Sequence, residues 1–386
     1  MASGLSRRRV GNPSATSDSS PSTLSPTPAN GATSPLSGHA GTALEGGSKI
    51  AFDPRDLDTE GESSKMPKLT LMEEVLLLGL NDRQGYLSFW NDNISYTLRG
   101  CIILELALRR RIAMTKDSSR RPYPLPDRII EVIDDRQTGE TLLDEALKMI
   151  KSSEPMGVGS WIDLMSGTSH RTTDSIVPNF AILHEALLRK KGETWNVMKI
   201  GYQLKQVRER LAKGLVDKGV LRTEKKNFLL FDMATHPVAD TRTKEEIVTR
   251  VLTLLSTRTS SIPPNALLKE GVQYRHLRAV CLVCAAYAAS VLENGLTRLN
   301  YDAREAAFSR CDDILAEFCV WPFGAAREGG SSGSTRRREG LSGGTSVDSV
   351  QELVKEVRKE QGDAEDLCLE IVAAVMEVYS RMDSLL

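Results

Sequence analysis

Apolar residues recur at intervals of three and four along most of this chain, from about Pro67 to the C-terminus. This spacing places them on one face of an α-helix, where they can be buried together. One such stripe consists of Leu204, Val207, Leu211 and Leu215. Hydrophobic residues make up 40% of the 386 residues but aromatic residues only 5%, so Leu, Val, Ile and Ala carry the apolar weight. We therefore predict a mainly α fold, in which residues 67–386 form one compact helical domain with few short strands.

The first 66 residues lack this helical spacing. About half of the first 60 are Ser, Thr, Pro or Gly, a composition that buries too little apolar surface to offset the entropy lost on ordering. We predict that residues 1–66 are a disordered tail. Its one distinctive feature is a basic cluster near the free end, formed by Arg7, Arg8 and Arg9. A second low-complexity segment, residues 324–345, is predicted to be a surface loop between helices.

Local signals mark where helices begin and end. Thr70 and Glu73 have the spacing of a capping box and predict the start of a helix. Gly219 has the position of the left-handed residue that ends a helix running from about Gly201. Further helices are predicted at residues 98–111, 142–150, 244–255, 274–293 and 302–318, followed by a closing pair within 347–386.

A protruding β-hairpin is predicted directly after Gly219, over residues 220–231. Residues 220–223 and 228–231 are rich in apolar side chains and flank the polar residues 224–227, which we expect to form the turn. Since two strands cannot bury both faces of a ribbon by themselves, a second surface should cover one face. A short strand is also expected at 129–133.

No combination of residues points to catalysis. None of the five histidines has a nucleophile or a metal ligand at a recognised spacing. Cys281 and Cys284 have C-x-x-C spacing but no second pair, so burial in a helix is favoured over a metal or redox role. We predict no enzyme activity, no metal site and no cofactor.

Positive charge is concentrated locally, although the whole chain has a formal net charge of −1. Lys205 and Arg208 are three residues apart on the helix expected from Gly201, which would place both on one face. Arg99 opens another predicted helix shortly after Trp90. From the pattern alone, ordinary solvated cations and a core tryptophan are the favoured explanation of these residues, and an anion-binding site is the alternative.

The order of helix, glycine and hairpin around Gly219 is also that of a winged-helix module. A nucleic-acid-binding protein of that kind therefore stays open as an alternative. Such modules carry an excess of basic residues around the recognition helix and wing. In this sequence Glu209, Asp217 and Glu224 dilute that charge.

Several segments, in the same order along the chain, resemble the Golgi phosphoprotein 3 family, which includes the yeast vacuolar protein sorting homologue. The resemblance covers about residues 68–295 and continues more weakly to the C-terminus. Its segments are 70–79 (TLMEEVLLLG), 85–92 (GYLSFWND), 98–108 (LRGCIILELAL), 141–147 (TLLDEAL), 207–215 (VRERLAKGL) and 218–237 (KGVLRTEKKNFLLFDMATHP).

The resemblance implies a mostly helical protein that lies on the cytosolic face of the Golgi membrane and exchanges with the cytosol. Its expected ligand is phosphatidylinositol 4-phosphate. The family holds glycosyltransferases in the Golgi by binding their cytosolic tails and linking them to coatomer for retrograde transport. The expected function is therefore that of a sorting adaptor that does not bind nucleic acid.

The resemblance also assigns roles to individual residues. Trp90, Arg99, Lys205 and Arg208 correspond to the family's headgroup-binding residues, with Lys205 where animal members have Arg and fungal members Lys. The three cations would surround the phosphates, and Trp90 would cover the inositol ring or enter the membrane interface. The cluster Arg7 to Arg9 is similar to the one through which family members bind coatomer. Hairpin 220–231 is expected to make the protein a homo-oligomer.

The sequence departs from the family pattern in two places. Residues 168–191 separate Ser166-Gly167 from Glu193, which are almost adjacent in the family. This insert is either an added lobe before the binding helix or an unspliced intron. The loop 324–345 is the second departure, and we expect it to have little effect.

Overall fold

The computed structural model describes residues 42–45, 48–51, 66–85, 92–167, 202–228, 231–257, 261–325, 345–362 and 366–382. Four features of the sequence analysis lie outside these residues. They are the basic cluster Arg7 to Arg9, Trp90, the insert 168–191 and most of the loop 324–345. The domain boundaries stay predictions.

The fold is mainly α, as the apolar spacing predicts. The helices of the described residues are, in chain order, α1 (Leu71–Gly79), α2 (Asp92–Leu108), α3 (Thr141–Ser152), α4 (Val158–Ser166), α5 (Val207–Asp217), α6 (Thr241–Ser256), α7 (Arg275–Ala288), α8 (Leu292–Leu296), α9 (Tyr301–Phe318), α10 (Thr345–Gln361) and α11 (Leu367–Ser380). None of them combines the length and the apolar character needed to cross a bilayer.

The described strands form three two-stranded antiparallel sheets. Strand β1 (Thr42–Glu45) pairs with β2 (Ser48–Ala51) in the N-terminal segment, and β3 (Ile112–Met114) pairs with β4 (Ile130–Val132). Strand β5 (Glu224–Phe228) pairs with β6 (Phe231–Thr235) in the predicted hairpin. The low strand content agrees with the sequence analysis.

Helix α2 lies at the centre of the fold and packs against α1, α4, α7 and α11. Gly100 allows α11 to approach closely, because a Cβ there would lie 2.4 Å from the hydroxyl oxygen of Tyr379. That hydroxyl donates to the carbonyl of Thr97 at 2.9 Å. Cys281 and Cys284 are fully buried within α7, in the core that these helices share.

The capping box at the start of α1 is confirmed. The backbone N–H of Thr70 donates to the Glu73 carboxylate at 2.8 Å, and the Glu73 N–H donates to the Thr70 hydroxyl at 3.4 Å. The first backbone N–H of α1, on Leu71, donates to Glu105 of α2 at 3.2 Å. Local capping and a tertiary contact therefore fix the same helix end.

Glu105 is a fully buried carboxylate at the centre of the helices. It accepts hydrogen bonds from Arg109 at 2.8 Å and from both terminal nitrogens of Arg278 at 3.1 Å. Burial alone would raise the pKa of Glu105, but the charges and hydrogen bonds of Arg278 and Arg109 lower it to about 2. This carboxylate thus joins α1, α2 and α7.

The hairpin exists, but its predicted strand boundaries are wrong. Glu224 pairs with Thr235 and Phe228 with Phe231, so the polar residues 224–227 belong to strand β5 and the chain reverses four residues later than predicted. The cause lies at the base of the hairpin, where the buried residues Leu221 and Val238 form a β-bridge. That bridge fixes a register in which 224–227 cannot be the turn.

Candidate anion-binding site

Three segments of the chain meet at Arg99, which lies within the first half of α2. The other two segments are the C-terminal end of α4 and residues 202–206, which lead into α5. The Arg99 side chain is buried, with only 6% of the residue exposed. It is the centre of the candidate site.

The Arg99 guanidinium binds neutral oxygens from all three segments. Its Nη1 donates to the carbonyl and the hydroxyl of Ser95 at 2.7 and 2.8 Å. Its Nε donates to the carbonyl of Met165 at 3.3 Å, and its Nη2 donates to the carbonyl of Leu204 at 2.8 Å. Because a guanidinium has five N–H groups, one on Nη2 remains for another acceptor.

No carboxylate within ion-pair distance neutralises Arg99 among the described residues. Burial, together with the nearby charge of Arg208, lowers the pKa of Arg99 to about 10, against the opposing effect of Glu209. A buried cation is normally paired because its desolvation is costly. Arg99 therefore supplies positive charge that an external anion can use.

Lys205 and Arg208 follow Leu204, whose backbone is bound by Arg99. Leu204, whose carbonyl accepts from Arg99, is itself anchored by donation of its N–H to the Met165 carbonyl at 3.1 Å. Lys205 follows directly and is exposed, and Arg208 is half-buried in the first turn of α5. Neither takes part in an ion pair with a described residue, whereas Arg210 pairs with Glu145 at 2.6 Å.

The prediction that Lys205 and Arg208 share a helix face is wrong. Helix α5 begins at Val207, and Gln206 before it has a left-handed backbone with φ of 52°. Lys205 therefore lies in the turn that precedes the helix. The end of α5 is as predicted, since Gly219 follows it with φ of 75°.

The start of α5 is itself suited to a negative charge. Gln206 makes no side-chain hydrogen bond to the first turn, so the N–H groups there are not satisfied by a side-chain cap. Unsatisfied N–H groups at a helix N-terminus, combined with the helix dipole, favour anions. Arg99, Lys205 and Arg208 lie at or beside this helix end, so positive charge is concentrated there.

Glu209 acts electrostatically on Arg99 and also on His236, and neither Glu209 nor His236 was singled out for this site by the sequence analysis. Glu209 is exposed in the first turn of α5. His236 follows β6 and has its pKa lowered by burial. The position of Glu209 next to Arg208 was a sequence signal, but its relation to Arg99 and His236 depends on tertiary structure.

The base of the hairpin contacts residues 82–85, whereas Trp90 lies outside the described residues. The backbone N–H of His236 donates to the carbonyl of Gly85 at 2.9 Å, and the N–H of Val238 donates to the carbonyl of Asp82 at 3.1 Å. Lys226 of β5 donates to the carbonyl of Arg83 at 3.3 Å. These contacts fix the chain just before residue 86.

No group of three or more potential metal ligands comes together within the described ranges.

Comparison with known proteins gives a consistent result. Residues 71–360 match the family Golgi phosphoprotein 3 (GPP34). The chain is 49% identical over 390 aligned residues to vacuolar protein sorting-associated protein 74 of Schizosaccharomyces pombe, with 100% of both chains covered. It is 47% identical over 338 residues to the protein of the same name from Eremothecium gossypii, with 88% of this chain and 90% of that one covered.

Proposed function

This chain belongs to the Golgi phosphoprotein 3 family, and on that basis we propose that it is a phosphatidylinositol 4-phosphate-dependent sorting adaptor on the Golgi membrane. In this role it binds the cytosolic tails of glycosyltransferases and links them to coatomer for retrograde transport. The family consists of Golgi sorting proteins and is not a family of enzymes, and we propose no catalytic activity.

The observation that carries the lipid-binding part of this proposal is the cluster of Arg99, Lys205 and Arg208. Arg99 is buried without a carboxylate partner among the described residues, and the other two lie on chain that it anchors. Partial burial strengthens a hydrogen bond between a cation and a phosphate. We propose that this cluster binds the phosphates of the headgroup and that Trp90 contacts the inositol ring or the membrane interface.

One headgroup gives only modest membrane affinity, because a single lipid contact is readily reversible. Firm attachment then needs a second contact, such as the cytosolic tail of a glycosyltransferase or another copy of this chain. We propose that hairpin 220–231, whose strands extend to Thr235, provides the contact between copies. Detection of lipid and cargo together would restrict the adaptor to Golgi membranes that contain both.

The coatomer contact is proposed for Arg7 to Arg9. These residues lie about thirty residues before strand β1, in a segment rich in Ser, Thr, Pro and Gly. A flexible chain of that length would reach roughly 30 Å on average. That reach would allow the cluster to contact a coat while the helical domain stays on the membrane.

Liposome flotation tests the lipid-binding proposal. Arg208→Ala should reduce flotation with vesicles that contain phosphatidylinositol 4-phosphate by about tenfold or more, since it removes one charge-assisted contact of about 1.5–3 kcal/mol. Lys213→Ala is the matched control, because Lys213 is an exposed lysine on the same helix, outside the cluster. Unchanged flotation of Arg208→Ala, with a normal circular dichroism spectrum, would exclude this cluster as the headgroup site.

A DNA mobility shift with the same proteins tests the winged-helix alternative. The order of α5, Gly219 and the hairpin fits such a module, but family membership favours the adaptor. Binding to duplex DNA at physiological salt, without flotation of the unaltered protein, would support the alternative.

A further inference from the structure

Within the described part of the chain, the Ser95 side chain is the one partner of Arg99 that a substitution can remove. Arg99 donates to four acceptors there. Three of them are the backbone carbonyls of Ser95, Met165 and Leu204, which any residue at those positions would supply. The fourth is the Ser95 hydroxyl, which accepts from Nη1 of Arg99 at 2.8 Å. The identity of residue 95 therefore affects how Arg99 is held.

The two bonds to Ser95 hold a single nitrogen of the guanidinium. The carbonyl and the hydroxyl of Ser95 accept from Nη1 at 2.7 and 2.8 Å, so each can take one of the two N–H groups of that nitrogen. Ser95 lies one turn before Arg99 in α2, and these bonds tie the guanidinium to its own helix. With Nη1 held there, Nε donates to Met165 of α4 and Nη2 to Leu204. This orientation leaves one N–H group of Nη2 for an external acceptor.

The hydroxyl fixes Arg99 without neutralising it, because a hydroxyl oxygen is an uncharged acceptor. Only 6% of Arg99 is exposed, so an N–H group that lost the hydroxyl would have little access to water. A buried donor without an acceptor is costly. The guanidinium would therefore turn towards another partner, and the remaining N–H group of Nη2 would change its direction.

We propose that Ser95 is a positioning residue for the headgroup site, whose hydroxyl holds the Arg99 guanidinium in the orientation that presents its remaining N–H group to a phosphate. This inference rests on the proposed function, because it assumes that the cluster of Arg99, Lys205 and Arg208 binds the headgroup. A carboxylate at position 95 would have the opposite effect, because it would pair with Arg99 one turn along the helix and take up its charge.

The test compares four variants with the unaltered full-length protein. Ser95→Ala removes the hydroxyl, Ser95→Thr keeps a hydroxyl, and Ser95→Asp replaces it with a carboxylate. Ser166→Ala is the matched control, because Ser166 is a half-buried serine next to Met165 whose hydroxyl donates to the carbonyl of Ile162 at 2.7 Å. Each protein is titrated with phosphatidylcholine vesicles with and without phosphatidylinositol 4-phosphate. Calorimetry with soluble glycerophosphoinositol 4-phosphate separates the headgroup from the bilayer.

Ser95→Ala should bind the vesicles and the soluble headgroup about three- to tenfold more weakly, the range expected for one hydrogen bond. Ser95→Thr should recover most of this loss, because its hydroxyl can occupy the same place. Ser95→Asp should bind more than about tenfold more weakly, because its charge neutralises Arg99. Its midpoint of thermal unfolding should nevertheless be at least that of Ser95→Ala, since the new ion pair stabilises α2. Ser166→Ala should keep the affinity of the unaltered protein.

The possible failures can be told apart. If Ser95→Ala or Ser95→Asp binds as tightly as the unaltered protein, or if Ser95→Thr loses as much affinity as Ser95→Ala, the hydroxyl does not position Arg99 and the inference is wrong. If the unaltered protein binds neither the vesicles with phosphatidylinositol 4-phosphate nor the soluble headgroup, the proposed function fails, and this inference fails with it. Thermal unfolding checks that each variant is folded at the assay temperature. Were Ser95→Ala unfolded, the contrast between Ser95→Thr and Ser95→Asp would decide in its place.

Discussion

Replacing Arg99 by lysine keeps the charge of the site but removes the forked group that holds it together. The guanidinium donates to Ser95, Met165 and Leu204, which belong to three separate segments. A lysine ammonium has three donors on one atom and cannot reproduce this planar arrangement. Without Arg99, the Met165 carbonyl would still accept a hydrogen bond from the Leu204 N–H. The Leu204 carbonyl is therefore the acceptor that we expect to lose its partner.

A buried acceptor that loses its partner costs about 1–3 kcal/mol. We therefore expect Arg99→Lys to lower the free energy of unfolding by about 2 kcal/mol. Because Lys205 and Arg208 follow the segment that Arg99 anchors, binding to vesicles with phosphatidylinositol 4-phosphate should also fall by about tenfold, although the net charge is unchanged.

Urea denaturation and liposome flotation measure the two effects on the same protein. Arg210→Lys is the control, since Arg210 of α5 forms a partly exposed ion pair with Glu145 of α3 and its replacement should change stability by less than about 0.5 kcal/mol. If Arg99→Lys matched the unaltered protein in both assays, the charge of Arg99 would be sufficient and its hydrogen bonds would have no positioning role.

Three further predictions concern other parts of the chain. Removal of residues 220–235 should give a smaller species in sedimentation velocity than the full chain, and equal masses across a concentration series would exclude the hairpin as an oligomer contact. Changing Arg7, Arg8 and Arg9 to Ala should abolish coatomer pull-down and send glycosyltransferases to the vacuole or lysosome, while liposome flotation persists. If the variant instead loses flotation and still binds coatomer, these arginines are lipid contacts. Glu105→Gln should cost about 3–5 kcal/mol at pH 7 by leaving Arg278 buried without its partner. Because the folded pKa of Glu105 is about 2, below its ordinary value, its stabilisation is present above about pH 4.5 and lost as the pH falls towards 2. The free energy of unfolding of the variant, measured by chemical denaturation, should therefore change less with pH between about 4.5 and 2 than that of the unaltered protein. An equal pH dependence in the two proteins would contradict the lowered pKa of Glu105.

Local sequence signals predicted those elements whose determinants are local. The capping box of Thr70 and Glu73 marked the start of α1, and Gly219 marked the end of α5, because each depends on residues within a few positions. The hairpin boundaries failed for the opposite reason. Polar residues 224–227 suit a turn by propensity, but the pairing of Leu221 with Val238 sets the register from outside the hairpin.

The candidate site was predictable as a set of residues but not as an arrangement. The resemblance brought Arg99 and Arg208 together, and the charge of Arg208 contributes to the lowered pKa of Arg99, but their role in binding stays a prediction. It did not reveal that Arg99 is buried among backbone carbonyls. Every residue has a carbonyl, so the sequence does not show which carbonyls will surround a side chain. The apolar stripe that includes Leu204 placed the start of α5 too early, since burial of Leu204 in a turn gives the same pattern as burial in a helix.

The packing of α2 against α11 has a consequence for how the chain folds during synthesis. Thr97 and Tyr379 are joined by a hydrogen bond across 282 positions of sequence, so the central helix acquires its last partner only when almost the whole chain has left the ribosome. Contacts of such long range slow folding, because the loop must close before the contact contributes. Until then the apolar surface of α2 that α11 later covers stays exposed, which makes the nascent chain a substrate for chaperones. A ribosome that stopped before α11 would release a chain with most of its helices and an incomplete core.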